Sequence, residues 1–345
     1  MKLEFSPMES FEGLLEKTEG DLLIENQTII VERYHFLSNR VVRIRNSKLI
    51  FKPTAGIALR NGIFEAENSL FVAENNLVGW GNIALLGDVS GYIKNCSFEY
   101  ARGAQGGDFI NGDLEIPLEE GVAYGGALLI YLKDSKDFKV TSVRFSRCSA
   151  DFGGAIYIDG DVKVENCIFE HCEALTEIGS GGAIYALKGA HIKNSLFKDC
   201  RAVWGGGVYA FTENKLIDST FISCRAQQDG GGAFAWENNL ILGCFFENCS
   251  AVNWGGGLKA FQYNSIRNSI FSWCFSDNEG GCLDLRENNL VESCIFNHCY
   301  AKIGGAIDLF TNNTVRNCSF SNCLAEKGRN YYQGKENTII DCVED

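Results

Sequence analysis

Apolar and small residues recur along this chain at one fixed interval. Eight times a phenylalanine is followed three residues later by a cysteine, and successive phenylalanines stand 24, 28, 24, 25, 25, 25 and 24 residues apart. An interval this regular over half of a chain is typical of a solenoid, in which each repeat packs only against its neighbours. The repeated phenylalanines are Phe145, Phe169, Phe197, Phe221, Phe246, Phe271, Phe296 and Phe320.

A pair of glycines marks the other half of each repeat. After the pair come a short alternation of apolar and polar residues, a turn that often contains Glu-Asn or Asn-Asn, a second short apolar stretch, and then the phenylalanine. Three short strands in ~24 residues without a helical period predict one coil of a parallel β-helix, an all-β fold. The pairs begin at Gly125, Gly153, Gly181, Gly205, Gly230, Gly255, Gly280 and Gly304.

The start of the chain predicts a short helix over residues 6–17 that caps the first open face of the stack. Ser6 suits the N-cap, Pro7 suits the first helical position, and Glu9 completes a capping box. The predicted apolar face of this helix consists of Met8, Phe11, Leu14 and Leu15.

We therefore predict an N-terminal cap over residues 1–20 and a single β-helix domain over residues 21–345. Within that domain we expect irregular coils over 21–100, an inserted glycine-rich loop over 101–121, regular coils over 122–325 and a partial coil over 326–345. The partial coil is expected to leave a strand edge that Arg329–Gly334, another chain or further residues must cover.

Fifteen cysteines fall into the same register. Like positions in a stack lie about 4.8 Å apart with parallel Cα–Cβ vectors, which aim poorly for a disulfide. Serine also replaces cysteine in one column, at Ser195, Ser219 and Ser269. We therefore predict buried free thiols that pack as small apolar groups. This prediction, with no apolar signal segment at the start of the chain, favours the cytoplasm; the alternative is the surface or exterior of an anaerobic cell after removal of a signal.

Charge and composition exclude several partners and cofactors. The formal net charge is −13 and no basic stripe is present, which argues against nucleic acid. No apolar run is long enough to cross a membrane, so we predict no membrane insertion. We predict no cofactor and no metal, because the His171-Cys172 and His298-Cys299 pairs would lie about 24 Å apart along the stack.

The repeat resembles that of polymorphic outer-membrane proteins and related adhesin-like proteins. In those families Gly-Gly-Ala-Ile is paired with Phe-x-x-Asn, where this chain has Phe-x-x-Cys over about residues 125–325. The resemblance implies a right-handed parallel β-helix and, in surface members, adhesion.

Alternation after the glycine pairs predicts an outward strip that is unusually aromatic. Soluble monomers rarely expose a large apolar patch, so the strip needs a binding or packing role. Its predicted ligand-binding residues, including two tryptophans that precede glycine pairs, are Tyr157, Tyr185, Tyr209, Phe211, Phe234, Trp236, Phe261, Trp204 and Trp254.

Three functions are compatible with this strip. Our main hypothesis is a non-catalytic, adhesin-like binding protein whose strip holds a polysaccharide or a protein surface. A second is a polysaccharide lyase or glycoside hydrolase of the pectate-lyase-like fold. A third is a self-assembling or structural scaffold, with the strip covered by the 101–121 loop or by another subunit in a homo-oligomer, which the open C-terminal end would also permit.

The enzyme hypothesis rests on four charged residues at one end of the strip. Asp284 and Asp308 are expected one coil apart, close enough to split their pKa values as acid and base. Lys259 and Arg286 are candidates for proton abstraction in an elimination. The alternative for these four residues is a solvated charge cluster without a catalytic role.

Overall fold

The computed structural model describes residues 9–103, 118–119, 121–133 and 137–344. In these ranges the chain winds into a stack of coils whose strands pair in parallel with the like strand of the next coil. Phe145 pairs with Phe169, and Phe169 with Phe197, as the repeat requires. The structure therefore confirms the predicted all-β parallel β-helix.

The phenylalanine sheet runs the length of the described stack. Its repeated rings are buried and lie 4.6 to 5.2 Å apart between centroids, nearly parallel to one another, so that they fill the core as one column. Its strands are Glu9–Ser10, Thr28–Val31, Lys48–Phe51, Leu70–Ala73, Ser97–Glu99, Arg144–Ser146, Ile168–Glu170, Leu196–Lys198, Thr220–Ile222, Phe245–Glu247, Ile270–Ser272, Ile295–Asn297, Ser319–Ser321 and Val343–Glu344.

The strands that follow the glycine pairs form a second surface, which we call the groove sheet, and it continues round a corner into a neighbouring face. Early coils cover both faces with one bent strand, whereas later coils use two strands. The strands are Leu22–Glu25, Tyr34–Arg45, Gly56–Glu67, Ile83–Lys94, Leu128–Leu132, Phe138–Thr141, Ile156–Glu165, Ile184–Lys193, Val208–Thr212, Lys215–Ile217, Ala233–Glu237, Leu240–Leu242, Leu258–Gln262, Ser265–Arg267, Leu283–Glu287, Leu290–Glu292, Ile307–Thr311, Thr314–Arg316, Tyr331–Lys335 and Thr338–Ile340.

A column of buried asparagines fixes that corner in the later coils. Asn264 donates from Nδ2 to the carbonyl oxygens of Ala235 and Trp236, and its Oδ1 accepts from the backbone N–H of Asn239 at 2.9 Å. Each amide thus satisfies backbone groups that the turn would otherwise leave unpaired. The column consists of Asn214, Asn239, Asn264, Asn289, Asn313 and, at the exposed end, Asn337.

A third, shorter sheet leads into the glycine pairs, with strands Glu173–Ala174, Arg201–Trp204, Arg225–Asp229, Ser250–Ala251 and Phe275–Ser276. The corner between it and the groove sheet is tight. Gly205 has φ +65°, and a Cβ on Gly206 would lie 2.2 Å from the carbonyl oxygen of Gly231. Only glycine fits such a corner, which sets the last residues of the short sheet beside the groove sheet.

The N-terminal helix is shorter than predicted. It spans Phe11–Glu16 with Ser10, not Ser6, as N-cap, and Ser10 Oγ accepts from the backbone N–H of Gly13. The helix begins late because Glu9–Ser10 pairs as a strand with the next coil. Phe11 is fully buried against the first coil, while Ser6, Pro7 and Met8 lie outside the described residues.

The prediction that every cysteine is a free thiol is wrong for one pair. Cys282 and Cys299 form a disulfide, with their Cα atoms 5.8 Å apart. They belong to different columns that face each other inside one coil. The equivalent positions of the preceding coil are Gly257 and Cys274, and a Cβ on Gly257 would lie 3.3 Å from Cys274 Sγ. Parallel Cα–Cβ vectors disfavour a disulfide between cysteines of one column, but not between cysteines of two columns that face each other across the core. All fifteen cysteines lie in described ranges, and the other thirteen are free.

The far end of the stack carries three strands after residue 330, so the expected partial coil is more complete than predicted. Tyr332, Ile340 and Val343 are exposed there. Among the described residues, no helix has the length and apolar character needed to cross a membrane. Of the predicted 101–121 loop, residues 104–117 and 120 lie outside the described residues.

Candidate functional site

A groove runs along the stack where the short sheet meets the groove sheet. Its floor is the column Tyr185, Tyr209, Phe234 and Lys259, one residue per coil in continuous register. One side, which we call the tryptophan wall, consists of residues that precede glycine pairs. The far wall is the second outward column of the groove sheet. The groove encloses about 730 Å³ and is lined by Phe152, Ile178, Ser180, Tyr185, Trp204, Tyr209, Asp229, Phe234, Trp236, Trp254, Lys259, Phe261, Arg286, Glu287 and Phe310.

The floor is not the flat exposed row that the sequence predicts. Tyr185 and Tyr209 stack with their centroids 5.0 Å apart and their planes 3° from parallel, and Tyr209 stacks on Phe234 in the same way. Because neighbouring rings cover one another, they present edges to the groove. Phe234 is only 5% exposed. Burial raises the pKa of Tyr185 to about 12, so its phenol remains a neutral hydrogen-bonding group.

One end of the predicted strip is covered by the chain itself. Tyr157 packs beneath Tyr124, whose ring meets it edge-on at 5.3 Å, and Leu118 belongs to the same buried cluster. Leu118 lies within the predicted 101–121 loop, and the covering role of that loop stays a prediction because most of it lies outside the described residues. Tyr157 therefore does not line the groove.

The tryptophan wall alternates aromatic and acidic side chains. Trp204 pairs with Asp229 on the next coil, and Asp229 pairs with Trp254 on the coil after that. Trp204 is half-buried, lines the groove and stacks on no other aromatic ring within the described ranges. The side-chain cations of Lys259 and Arg286 lie over the Trp254 ring, 4.7 and 4.4 Å from its centroid.

The far wall is a second aromatic stack. Trp236 and Phe261 lie 4.3 Å apart between centroids, and both are half-buried at the groove. Arg286 and Phe310 continue this column on the next two coils, with the guanidinium 5.5 Å from the Phe310 ring centroid. Phe211 stacks on Trp236 but does not line the groove.

The four charged residues expected at one end of the strip do lie together, but they are not a solvated cluster. Lys259 Nζ donates a hydrogen bond to Asp284 Oδ1, and the two side chains are 2% and 1% exposed. Arg286 Nε lies 3.5 Å from the same oxygen. Asp308 is also buried and stands beside Asp284 in the floor column.

Burial dominates the protonation of this end. Burial and the neighbouring Arg286 charge lower the pKa of the Lys259 ammonium, whereas the carboxyl groups of Asp229, Asp308 and Glu279 favour its charged form. Burial also raises the pKa of Asp308 to about 6, helped by the negative charge of Glu279 and opposed by Arg286 and Lys259.

Asp308 also belongs to the group most suited to a cation. Oxygen atoms of Glu279, Asp284 and Asp308 lie within 4.8 Å of one another. Hard divalent cations prefer such oxygen ligands. Asp284, however, already accepts from Lys259, and its remaining oxygen has no hydrogen-bond partner among the described residues.

Asp229 is a groove carboxylate that was not predicted from the sequence. It is 6% exposed, and within the described part of the chain its Oδ1 has no hydrogen-bond partner. Burial raises its pKa to about 6, while Lys259, Arg286 and hydrogen bonding from Asn253 and the Trp254 backbone oppose that rise. The signal was available, because Asp229 occupies the same position before a glycine pair as Trp204 and Trp254.

Comparisons with known proteins bear on the fold. The profile of a protein family described as "Right handed beta helix region" matches residues 35–215 and again 183–343. The search of curated proteins found no match.

Several solved structures are similar to this chain at low identity and low TM-score. The periplasmic alginate epimerase AlgG is 8% identical with a TM-score of 0.41, over 99% of this chain and 84% of its own. A mannuronic acid specific polysaccharide family 6 lyase from human gut microbiota is 10% identical with a TM-score of 0.40, over 97% and 87%. The A-module of the Azotobacter vinelandii mannuronan C-5 epimerase AlgE4 is 8% identical with a TM-score of 0.37, over 97% and 95%. At this similarity, ligand and chemistry have to be inferred from the groove of this chain.

Proposed function

The chain belongs to the right-handed β-helix family, and we propose that it is a carbohydrate-binding member that holds an extended glycan in the groove between the tryptophan wall and the far wall. The observation that supports this most is the pairing of indole and phenyl groups across the groove. Trp204 and Trp254 stand on one side, and Trp236 and Phe261 stand on the other.

The length of the groove supports an extended ligand. From Tyr185 to Phe310 it crosses five coil steps, which at the spacing of parallel strands is roughly 24 Å. Binding sites of this kind combine apolar walls with a few polar groups that fix orientation. Asp229, Arg286 and Glu287 supply such groups along the groove.

Trp204 tests this proposal best because it lines the groove and stacks on no other ring among the described residues, so its removal disturbs no ring stack. Trp204→Ala should weaken retention on a matching immobilised glycan at least tenfold, or about 1.4 kcal/mol. Trp273→Ala is the matched control, since Trp273 is 56% exposed and does not line the groove. If no glycan in a broad panel retains the protein, or if both variants bind alike, the proposal is wrong.

Cleavage of the bound glycan is a second candidate function. Asp229 favours it, because a carboxyl with a pKa of about 6 in a groove wall suits general acid catalysis near neutral pH. Release of new reducing ends from a bound glycan, stopped by Asp229→Asn, would establish cleavage. Absence of release from every retained glycan would leave the binding function alone.

Location and assembly remain proposals. The thirteen free cysteines support a reducing compartment such as the cytoplasm. There are two alternatives: the ligand is a protein surface, or two chains associate through the groove or through the exposed last coil. Light scattering of the same Trp204→Ala variant tests association through the groove.

A further inference from the structure

We propose that the glycan held in this groove carries free amino groups, so that an ammonium group lies beside Asp229 between Trp204 and Trp254. The inference rests on the proposed carbohydrate-binding function and names the substrate class of the same site.

The charge balance of the groove points to a cationic ligand. Two carboxyl groups line the groove, three more cluster beside its charged end, and two basic side chains lie among them. The acids are Asp229, Glu279, Asp284, Asp308 and Glu287, and the bases are Lys259 and Arg286. At full ionisation this leaves an excess of negative charge, which attracts cations and repels anionic sugars.

The two bases are already engaged inside the protein. Lys259 donates to Asp284, and Arg286 Nε lies 3.5 Å from the same carboxylate. Both cations also lie over the Trp254 ring. An anionic ligand would therefore have to compete with Asp284 for both bases, whereas a cation meets a carboxylate with one oxygen that has no donor among the described residues.

That carboxylate is Asp229. It is 6% exposed, lines the groove, and has an Oδ1 without a hydrogen-bond partner among the residues described. A buried acceptor without a donor costs free energy that a ligand donor recovers. The ammonium of an amino sugar supplies both the donor and the opposite charge.

The aromatic walls add to this preference. The face of an indole attracts a cation by ~0.5–2 kcal/mol, depending on how far the site is desolvated. Trp204 stands one coil from Asp229 and has no stacked ring within the described ranges. An ammonium held at Asp229 can therefore contact an indole face that the floor rings, which present edges, do not offer.

Affinity for such a ligand should rise with pH across about pH 6. The charged groups that face Asp229 are Lys259 and Arg286, and both lower its pKa. Burial outweighs them and keeps the pKa of Asp229 at about 6. Protonated Asp229 carries no charge, so the ion pair forms only above this range. A neutral glycan should show no such rise.

The experiment compares glucosamine oligomers with N-acetylglucosamine, glucose and uronate oligomers of matched length at about pH 6.5. Titration calorimetry should give at least tenfold tighter binding of the glucosamine oligomer than of its N-acetylated form. Asp229→Asn should abolish this preference. Asp218→Asn is the control, since Asp218 is an exposed turn residue away from the groove.

The outcomes separate the inference from the function on which it rests. Equal binding of the neutral and amino oligomers, or a preference for uronate, overturns the inference and leaves carbohydrate binding in place. Binding of no oligomer contradicts the proposed function itself. A preference for the amino oligomer that survives in Asp229→Asn overturns the assignment to Asp229.

Discussion

Lys259 and Asp284 form an ion pair in the floor column of the groove, with the ammonium donating to Oδ1 and both side chains shielded from water. The pair links two adjacent coils through side chains, at positions where the preceding coils carry stacked rings. A solenoid coil is stabilised mainly by its neighbours, so this pair contributes to the stability of the coils that form the charged end of the groove.

Breaking this pair from one side should be costly. Lys259→Met removes the ammonium and leaves Asp284 buried beside two other acids, with Arg286 as its basic neighbour, so the free energy of unfolding should fall by about 3–5 kcal/mol. Urea denaturation monitored by circular dichroism measures the change.

An exposed ion pair provides the comparison. Lys188 and Glu213 also link two coils, but both side chains are 56% exposed. Lys188→Met should therefore change stability by less than about 1 kcal/mol. Equal effects of the two methionine substitutions would contradict the buried character of the Lys259–Asp284 pair.

Stability should depend on pH through Asp308. Its pKa in the folded protein is raised to about 6 from 3.8, so the folded state binds its proton more tightly than the unfolded state. Stability from this group is present at low pH and is lost as pH rises from about 4 through 6, with a total near 3 kcal/mol. Asp308→Asn should therefore gain stability relative to wild type over that range. Urea denaturation at each pH gives the free energy of unfolding of both proteins. If it changes with pH in the same way in both, Asp308 is not the group responsible.

The buried asparagine column should tolerate substitution poorly. Asn264→Ala removes the donor to two carbonyl oxygens and the acceptor for the Asn239 N–H, at a cost of about 1–3 kcal/mol. Asn337 occupies the last position of the same column and is partly open to water. Asn337→Ala should cost clearly less in the same denaturation experiment. A larger loss for Asn337→Ala would mean that burial does not set these costs.

Thiol counting tests the cysteine assignment. Denatured protein without reductant should show thirteen reactive thiols, and reduction should add two. In Cys282→Ala the count without reductant should be fourteen, because Cys299 is then released. Fifteen thiols in unreduced wild-type protein would show that the disulfide is absent.

The sequence predicts the fold well because stacking forces like residues into columns. Phe145 and Phe169 pair as their spacing requires, and the inward residues after the glycine pairs are buried. Strand register follows from such repeats without any long-range information. The short N-terminal strand at Glu9–Ser10 escaped prediction because it carries no repeat.

The candidate site was predicted only in part. Alternation places Lys259 and Asp284 outward, but it does not show that the Trp254 ring lies over the Lys259 ammonium. The tryptophan wall follows from the tight corner at each glycine pair, which brings Asp229 beside the floor. The relation of Cys282 to Cys299 likewise runs across the core, where the repeat period carries no information.

The most direct test of carbohydrate binding is a crystal structure with an oligosaccharide that the binding panel selects. Our account predicts sugar density in the groove, in contact with Trp204 on one side and with Trp236 or Phe261 on the other. Sugar bound elsewhere, for example against the exposed Trp273, or a groove filled by a second copy of the chain, would contradict it.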